Sequence, residues 1–288
     1  AKSSKAKGTL EIGVDTLPKL PKDAGDRNRT SPFAFTGNRF EFRAVGGNQS
    51  ISGPLVALNT IFAESLDFCA TELEKSLASG MELKDAVQVL LKGILDKHDR
   101  VIFNGNGYSA ECHAEAEKRG LPNLRTTPDA LTALDSEETR ALFDKHKVLS
   151  PRELASRYET YVEQYIKSIL LEARIALRMA KTTILPAALR YQSELGAAAV
   201  NVKGAGLSPD LTVLTETTEL VGALQAGIAK LAAAIESEHE EGMAGALYCR
   251  DTVIPAMNAV RDAADKLETV IADDLWPLPT YQEMLFIK

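Results

Sequence analysis

Ser150-Pro151-Arg152-Glu153 constrains the fold of this chain more than any other segment. It combines a serine hydroxyl at a helix cap, a proline at the first helical position where no N–H is needed, and a glutamate three residues after the cap. A helix must start there. Tyr158, Tyr161, Tyr165 and Ile169 then mark one apolar face, which runs on toward Gly196 with a kink expected at Pro186. Ser208-Pro209-Asp210 opens a second long helix to about Glu241, and Gly242 separates it from a third that reaches about Asp274. Three long segments with short connections predict an antiparallel bundle over residues 150–288.

Residues 1–149 read differently. Leu10–Leu17 and Phe40–Val45 have the look of strands, separated by a proline-containing stretch that favours extended or turn backbone. From Pro54 to Ser79 apolar residues recur at helical spacing until Gly80 ends the pattern, and Glu82–Lys97 repeats it. Phe103-Asn104-Gly105-Asn106-Gly107-Tyr108 is a turn-rich loop, followed by a short helix closing at Arg119-Gly120. The class expected is α+β, mostly α: a few strands, then a long-helix bundle.

With 45% hydrophobic and 25% charged residues, the chain has the composition of a folded globular protein. A net charge of -7 argues against nucleic-acid binding, which needs a basic field. Cys69, Cys112 and Cys249 are widely spaced, so neither a disulfide framework nor a zinc knuckle is expected, and a reducing cytoplasm fits. No run of about 18 uninterrupted apolar residues occurs, so no membrane span is expected. The first residues lack a signal-peptide core, and the missing initiator methionine reads as the mark of a fragment.

The chemistry concentrates between Asp26 and Val45. In Arg39-Phe40-Glu41-Phe42-Arg43 the strand period places Arg39, Glu41 and Arg43 on one face and both phenylalanines on the other. Such a strand can bury its rings in a core while its charges line a cavity. A carboxylate there is a hard ligand for magnesium, and flanking arginines suit phosphate or carboxylate oxygens. Standing alone, the pentapeptide would more often be a solvated face with weak ion pairs. Upstream, however, lies Asn28-Arg29-Thr30-Ser31-Pro32.

The combined run from Asn28 to Arg43 resembles the signature of the glutamine synthetases, in the wording of their type III subfamily. The segments from Thr9 to Asp23, Phe103 to Ser109, Gly120 to Leu131 and Leu275 to Phe286 are similar to type III sequences too. The resemblance implies that the first part of the chain is the C-terminal part of a catalytic barrel. It implies Glu41 as a ligand of one of two catalytic cations, Mg2+ or Mn2+. Arg43 would hold the glutamate carboxylate, Arg39 would contact ATP phosphates, and Arg29 would stabilise the phosphoryl group in transfer. Ala34 stands where shorter family members carry a further arginine. The implied substrates are glutamate, ATP and ammonia, and the implied assembly is a ring-stacked homo-oligomer, a dodecamer. The remaining metal ligands are expected in an N-terminal part that would precede Ala1. A non-catalytic helical interaction module is the alternative. His98, His113, His146 and His239 show no metal spacing and are expected to be surface or locally bonded, and Glu236–Glu241 reads as a solvated helix end.

Overall fold

The computed structural model describes residues 9–10, 20–21, 30–36, 39–43, 50–103, 105–237, 241–279 and 281–285. The chain forms two compact units, Ala1–Leu124 with Lys145–Val148, and Arg125–Asp144 with Leu149–Lys288. Among the described residues it is mostly helical, with a few short strands.

In the first unit β1 (Thr9–Leu10) pairs antiparallel with β2 (Leu20–Pro21), and β3 (Phe33–Phe35) with β4 (Phe40–Phe42). Residues 11–17 and 44–45 of the expected strands lie outside the described residues. Three helices follow: α1 (Ser52–Ala78), α2 (Leu83–His98) and α3 (Ala110–Lys118). Gly80, at φ 87°, ends α1. Its N–H reaches Leu77 O while the Met81 N–H reaches back to Ser76 O, the paired bonds of a left-handed glycine stop. Gly120 ends α3 in the same way, through Glu117 O and Ala116 O.

The second unit holds α4 (Thr127–Leu131), α5 (Glu137–Lys145, its last residue counted with the first unit) and the long α6 (Pro151–Met179). After them come α7 (Leu185–Gly204), α8 (Thr212–Glu236), α9 (Gly242–Tyr248), α10 (Ile254–Glu268) and the short α11 (Tyr281–Leu285). The start at Ser150 is a full capping box, with the Ser150 hydroxyl accepting from the Glu153 N–H and the Glu153 carboxylate accepting from the Ser150 N–H at 2.8 Å. The core stripe of α6 runs through Leu154, Val162, Tyr165 and Ala173, with Tyr158 and Ile169 packed beside it. Tyr161 is only half-buried.

Where a kink is expected at Pro186, the structure has a π turn. A proline has no N–H for the carbonyl four residues back, and its ring crowds that carbonyl. The helix widens instead over Ala180–Ile184 into a π turn, where the Leu185 N–H donates to Ala180 O five residues back. The same device recurs before Pro255: Cys249–Val253 is a π turn closed by Ile254 N–H to Cys249 O. Both turns face the core, with Ala180, Ile184, Cys249 and Val253 buried.

α8 is long and apolar enough to cross a membrane by length and composition, with mean hydropathy 1.3 over its best window. Its apolar face is nevertheless used inside the unit, where Val221, Leu224, Ile228 and Leu231 meet α10 and the helices before it. Gly227 permits the close α8–α10 approach, because a Cβ there would lie 3.3 Å from Val260 Cγ2 and 3.4 Å from its backbone. Residues 125–144 join this unit through Leu131, packed on the core, and through Arg250, whose Nη1 donates to Asp129 Oδ1 at 2.7 Å. Leu231→Ala, at a fully buried site, is expected to cost about 2–5 kcal/mol, whereas Ser150→Ala should cost about 1 kcal/mol. Denaturant titrations of the two variants, followed by circular dichroism, check that order.

Candidate functional site

Strand β4 places Glu41 between two guanidiniums. Arg43 Nη2 donates to Glu41 Oε2 at 3.0 Å and Arg39 Nη2 to Oε1 at 3.4 Å, so the period of two brings the three expected residues together on one face. Arg29 lies outside the described residues. The register of the hairpin, Ala34 opposite Glu41, puts the Ala34 methyl on that same face, fully buried. Any cationic group at position 34 would therefore sit beside Glu41; here the side chain is too small to reach it.

The other face departs from expectation. The strand pattern allows Phe40 and Phe42 to turn into a core, yet Phe40 is 63% exposed and Phe42 is exposed as well. Phe33 stacks on Phe40 with ring centroids 5.1 Å apart, which leaves all three rings as one apolar patch. The physical reason is that no described layer covers this side of the two-stranded ribbon. The charged side is unevenly covered: the Arg43 side chain is 23% exposed and that of Glu41 35%, but that of Arg39 is 73% exposed.

Electrostatics follow from these contacts. The hydrogen bond from Arg43, aided by the charges of both arginines, holds the Glu41 carboxyl below its usual range against the opposing effect of desolvation. Glu41 in turn raises the Arg43 guanidinium. At neutral pH the face is one carboxylate between two cations, with net positive charge, and it is suited to an anionic ligand. For a divalent cation Glu41 is chemically apt, being a hard oxygen donor, but it is one ligand and not a complete site.

Around this face the backbone is tightly tied. Arg43 uses its N–H on Pro32 O at 2.9 Å and its Nη1 on Ser31 O at 3.3 Å. Gly107 donates its N–H to Thr30 O at 2.6 Å, which brings the loop ending at Tyr108 against the hairpin. The sequence marks this segment only as a turn-rich loop. The signal available was the repeated Asn-Gly, which marks a turn but not what it docks on.

Other charged groups have structural uses. Glu64 on α1 accepts from Lys145 Nζ at 2.6 Å and pairs with His146 Nε2 at 2.7 Å, and Asp67 meets the same lysine at 2.9 Å. His146 is thus locally bonded, as expected, while His239 lies outside the described residues. Among the described residues no three His, Cys, Asp or Glu side chains gather in a metal-binding group.

Residues 86–203 match the glutamine synthetase C-terminal domain. Over 97% of its length the chain is 40% identical to the type-3 glutamine synthetase of Dictyostelium discoideum. It is 32% identical over 98% of its length to a glutamine synthetase of Bacteroides fragilis, and 36% over 92% to one of Butyrivibrio fibrisolvens. Arg39, Glu41 and Arg43 precede the matched domain and fall in the stretch shared with these relatives. The chain spans about two-fifths of the relatives' own length, 39%, 40% and 38% respectively. With the type III segments noted above, these matches show that the chain belongs to the glutamine synthetase family, type 3, and corresponds to the C-terminal part of those enzymes.

Proposed function

We propose that this chain works within a synthetase polypeptide of its relatives' length, which joins ammonia to glutamate at the expense of ATP. The observation that carries the reading is the charge cluster of β4: Glu41 lies between two guanidiniums, with Arg43 and Glu41 partly covered and Arg39 open to solvent. Isolated surface charges gain little from such grouping, so a cluster held by several backbone bonds has a use beyond stability.

In this reading the Arg43 fork holds the substrate carboxylate and Arg39 meets the phosphate oxygens of ATP, each through paired N–H donors. Arg29 neutralises the phosphoryl group as it moves. Glu41 is one ligand of a magnesium or manganese ion, which when bound offsets the negative charge that accumulates during transfer. The glutamate side-chain carboxylate attacks the γ-phosphorus of ATP and releases ADP. Ammonia then attacks the acyl carbon of the γ-glutamyl phosphate and releases phosphate. The arginines act by positioning and charge neutralisation and undergo no covalent change.

The rest of the polypeptide also has a place to pack. α1 and α2 have one buried residue each, Thr60 and Ala86, while Phe62, Leu66, Val89 and Leu95 stand exposed. Apolar helix faces of that size are covered in a finished domain. A barrel wall built from the remaining length is the cover proposed, and the helical unit serves as the contact surface for a ring-stacked oligomer, a dodecamer.

The reaction itself is tested on the whole synthetase by following phosphate and glutamine together. Equal amounts of both, dependent on glutamate and ammonia, are expected. Phosphate release indifferent to glutamate would contradict the proposal.

A further inference from the structure

The three carbonyls of Thr30, Ser31 and Pro32 form one short rail, and each is used. Ser31 O and Pro32 O hold Arg43, through its side chain and its backbone N–H respectively. Thr30 O is taken by the N–H of Gly107, from a loop far away in sequence. That approach is tight for a side chain: a Cβ on Gly107 would lie 3.0 Å from Thr30 O, 3.4 Å from Pro32 Cδ and 3.6 Å from Ser31 Cα. All three segments belong to the first unit.

The loop is itself fixed. Asn106 accepts the Tyr108 N–H on its side-chain oxygen at 3.0 Å, and its backbone carbonyl accepts from the Ser109 N–H and hydroxyl. Tyr108 follows directly on this turn, half exposed, and its phenol favours the charged Arg43 guanidinium after the stronger effect of Glu41.

We infer that Gly107 and Tyr108 are positioning residues for Arg43: Gly107 seats the rail on which the arginine rests, and Tyr108 limits the swing of its guanidinium. The inference rests on the proposed role of Arg43 in holding the glutamate carboxylate. A fork that binds two oxygens at once depends on its plane being set before the ligand arrives. The methyl added by Gly107→Ala would displace the rail by a few tenths of an ångström, and loss of the Tyr108 hydroxyl would free the guanidinium without moving backbone.

The test is steady-state kinetics on the whole synthetase carrying Gly107→Ala, Tyr108→Phe or, as reference, Arg43→Ala. Both positioning variants are expected to raise the KM for glutamate about 3- to 10-fold, the range left by partial misplacement of one hydrogen-bonding group. Their KM for ATP and their kcat at saturating glutamate should stay near those of the parent. Tyr108→Phe guards against misfolding, since it removes one hydroxyl from a half-exposed residue and leaves the backbone and ring unchanged. If Arg43→Ala weakens glutamate while Tyr108→Phe and Gly107→Ala do not, the inference is overturned and the role of Arg43 stands. If Gly107→Ala and Tyr108→Phe weaken glutamate and ATP alike, the loop is only structural and the inference is again overturned. If Arg43→Ala leaves the glutamate KM unchanged, the underlying role fails, and this inference with it.

Discussion

The 288-residue chain by itself is expected to form no detectable glutamine from glutamate, ammonia and ATP. A synthetase site needs its cations held by several oxygen ligands, and Glu41 is one carboxylate already engaged by Arg39 and Arg43. With Glu41 as the one proposed cation ligand, transition-state charge would have little to offset it, and the expected loss is effectively complete. The exposed apolar faces of α1 and α2 add a second reason, because helices lacking their cover leave the first unit an incomplete domain. The same chain within a polypeptide of its relatives' length is expected to be active. Both forms should be assayed at equal molar concentration with glutamine detected directly, so that contaminating ATPase activity does not count. Turnover by the purified chain comparable to that of the whole synthetase would contradict the division of the site proposed above.

Much of the helical unit was legible in the sequence because its signals are local. The capping box at Ser150 needs only four residues, and its bonds form as the spacing predicts. The start placed at Ser208-Pro209-Asp210 moved: α8 begins at Thr212, whose N–H and hydroxyl both use the Asp210 carboxylate. The π turns before Pro186 and Pro255 were not readable beyond a possible kink. How a helix absorbs a missing N–H depends on the packing of the turn before it. Likewise the period of two grouped Arg39, Glu41 and Arg43 but did not say which face would be covered. Exposure of Phe40 and Phe42 is a property of what lies against the ribbon, and a strand pattern carries no record of that. The contact of Gly107 with Thr30 joins segments far apart in the chain, beyond the reach of any local pattern.

The most direct measurement of the account is a comparison of Glu41→Ala and Arg43→Lys in the whole synthetase, with glutamate, ATP and magnesium varied independently. Arg43→Lys keeps the charge but loses the planar fork, so the KM for glutamate should rise about 10- to 100-fold while the KM for ATP stays near that of the parent. In the proposed role, Glu41→Ala would remove a cation ligand whose effect is felt in the transition state. It should raise the magnesium requirement and lower kcat on the order of a hundredfold even at saturating glutamate. Two solvated surface charges would behave otherwise, since their exchange is worth less than about 1 kcal/mol, or under about tenfold in any constant. Separate defects, glutamate for Arg43 and magnesium with turnover for Glu41, are the predicted result. Near-parental constants for both variants would contradict the account and return Arg39, Glu41 and Arg43 to an ordinary charged strand.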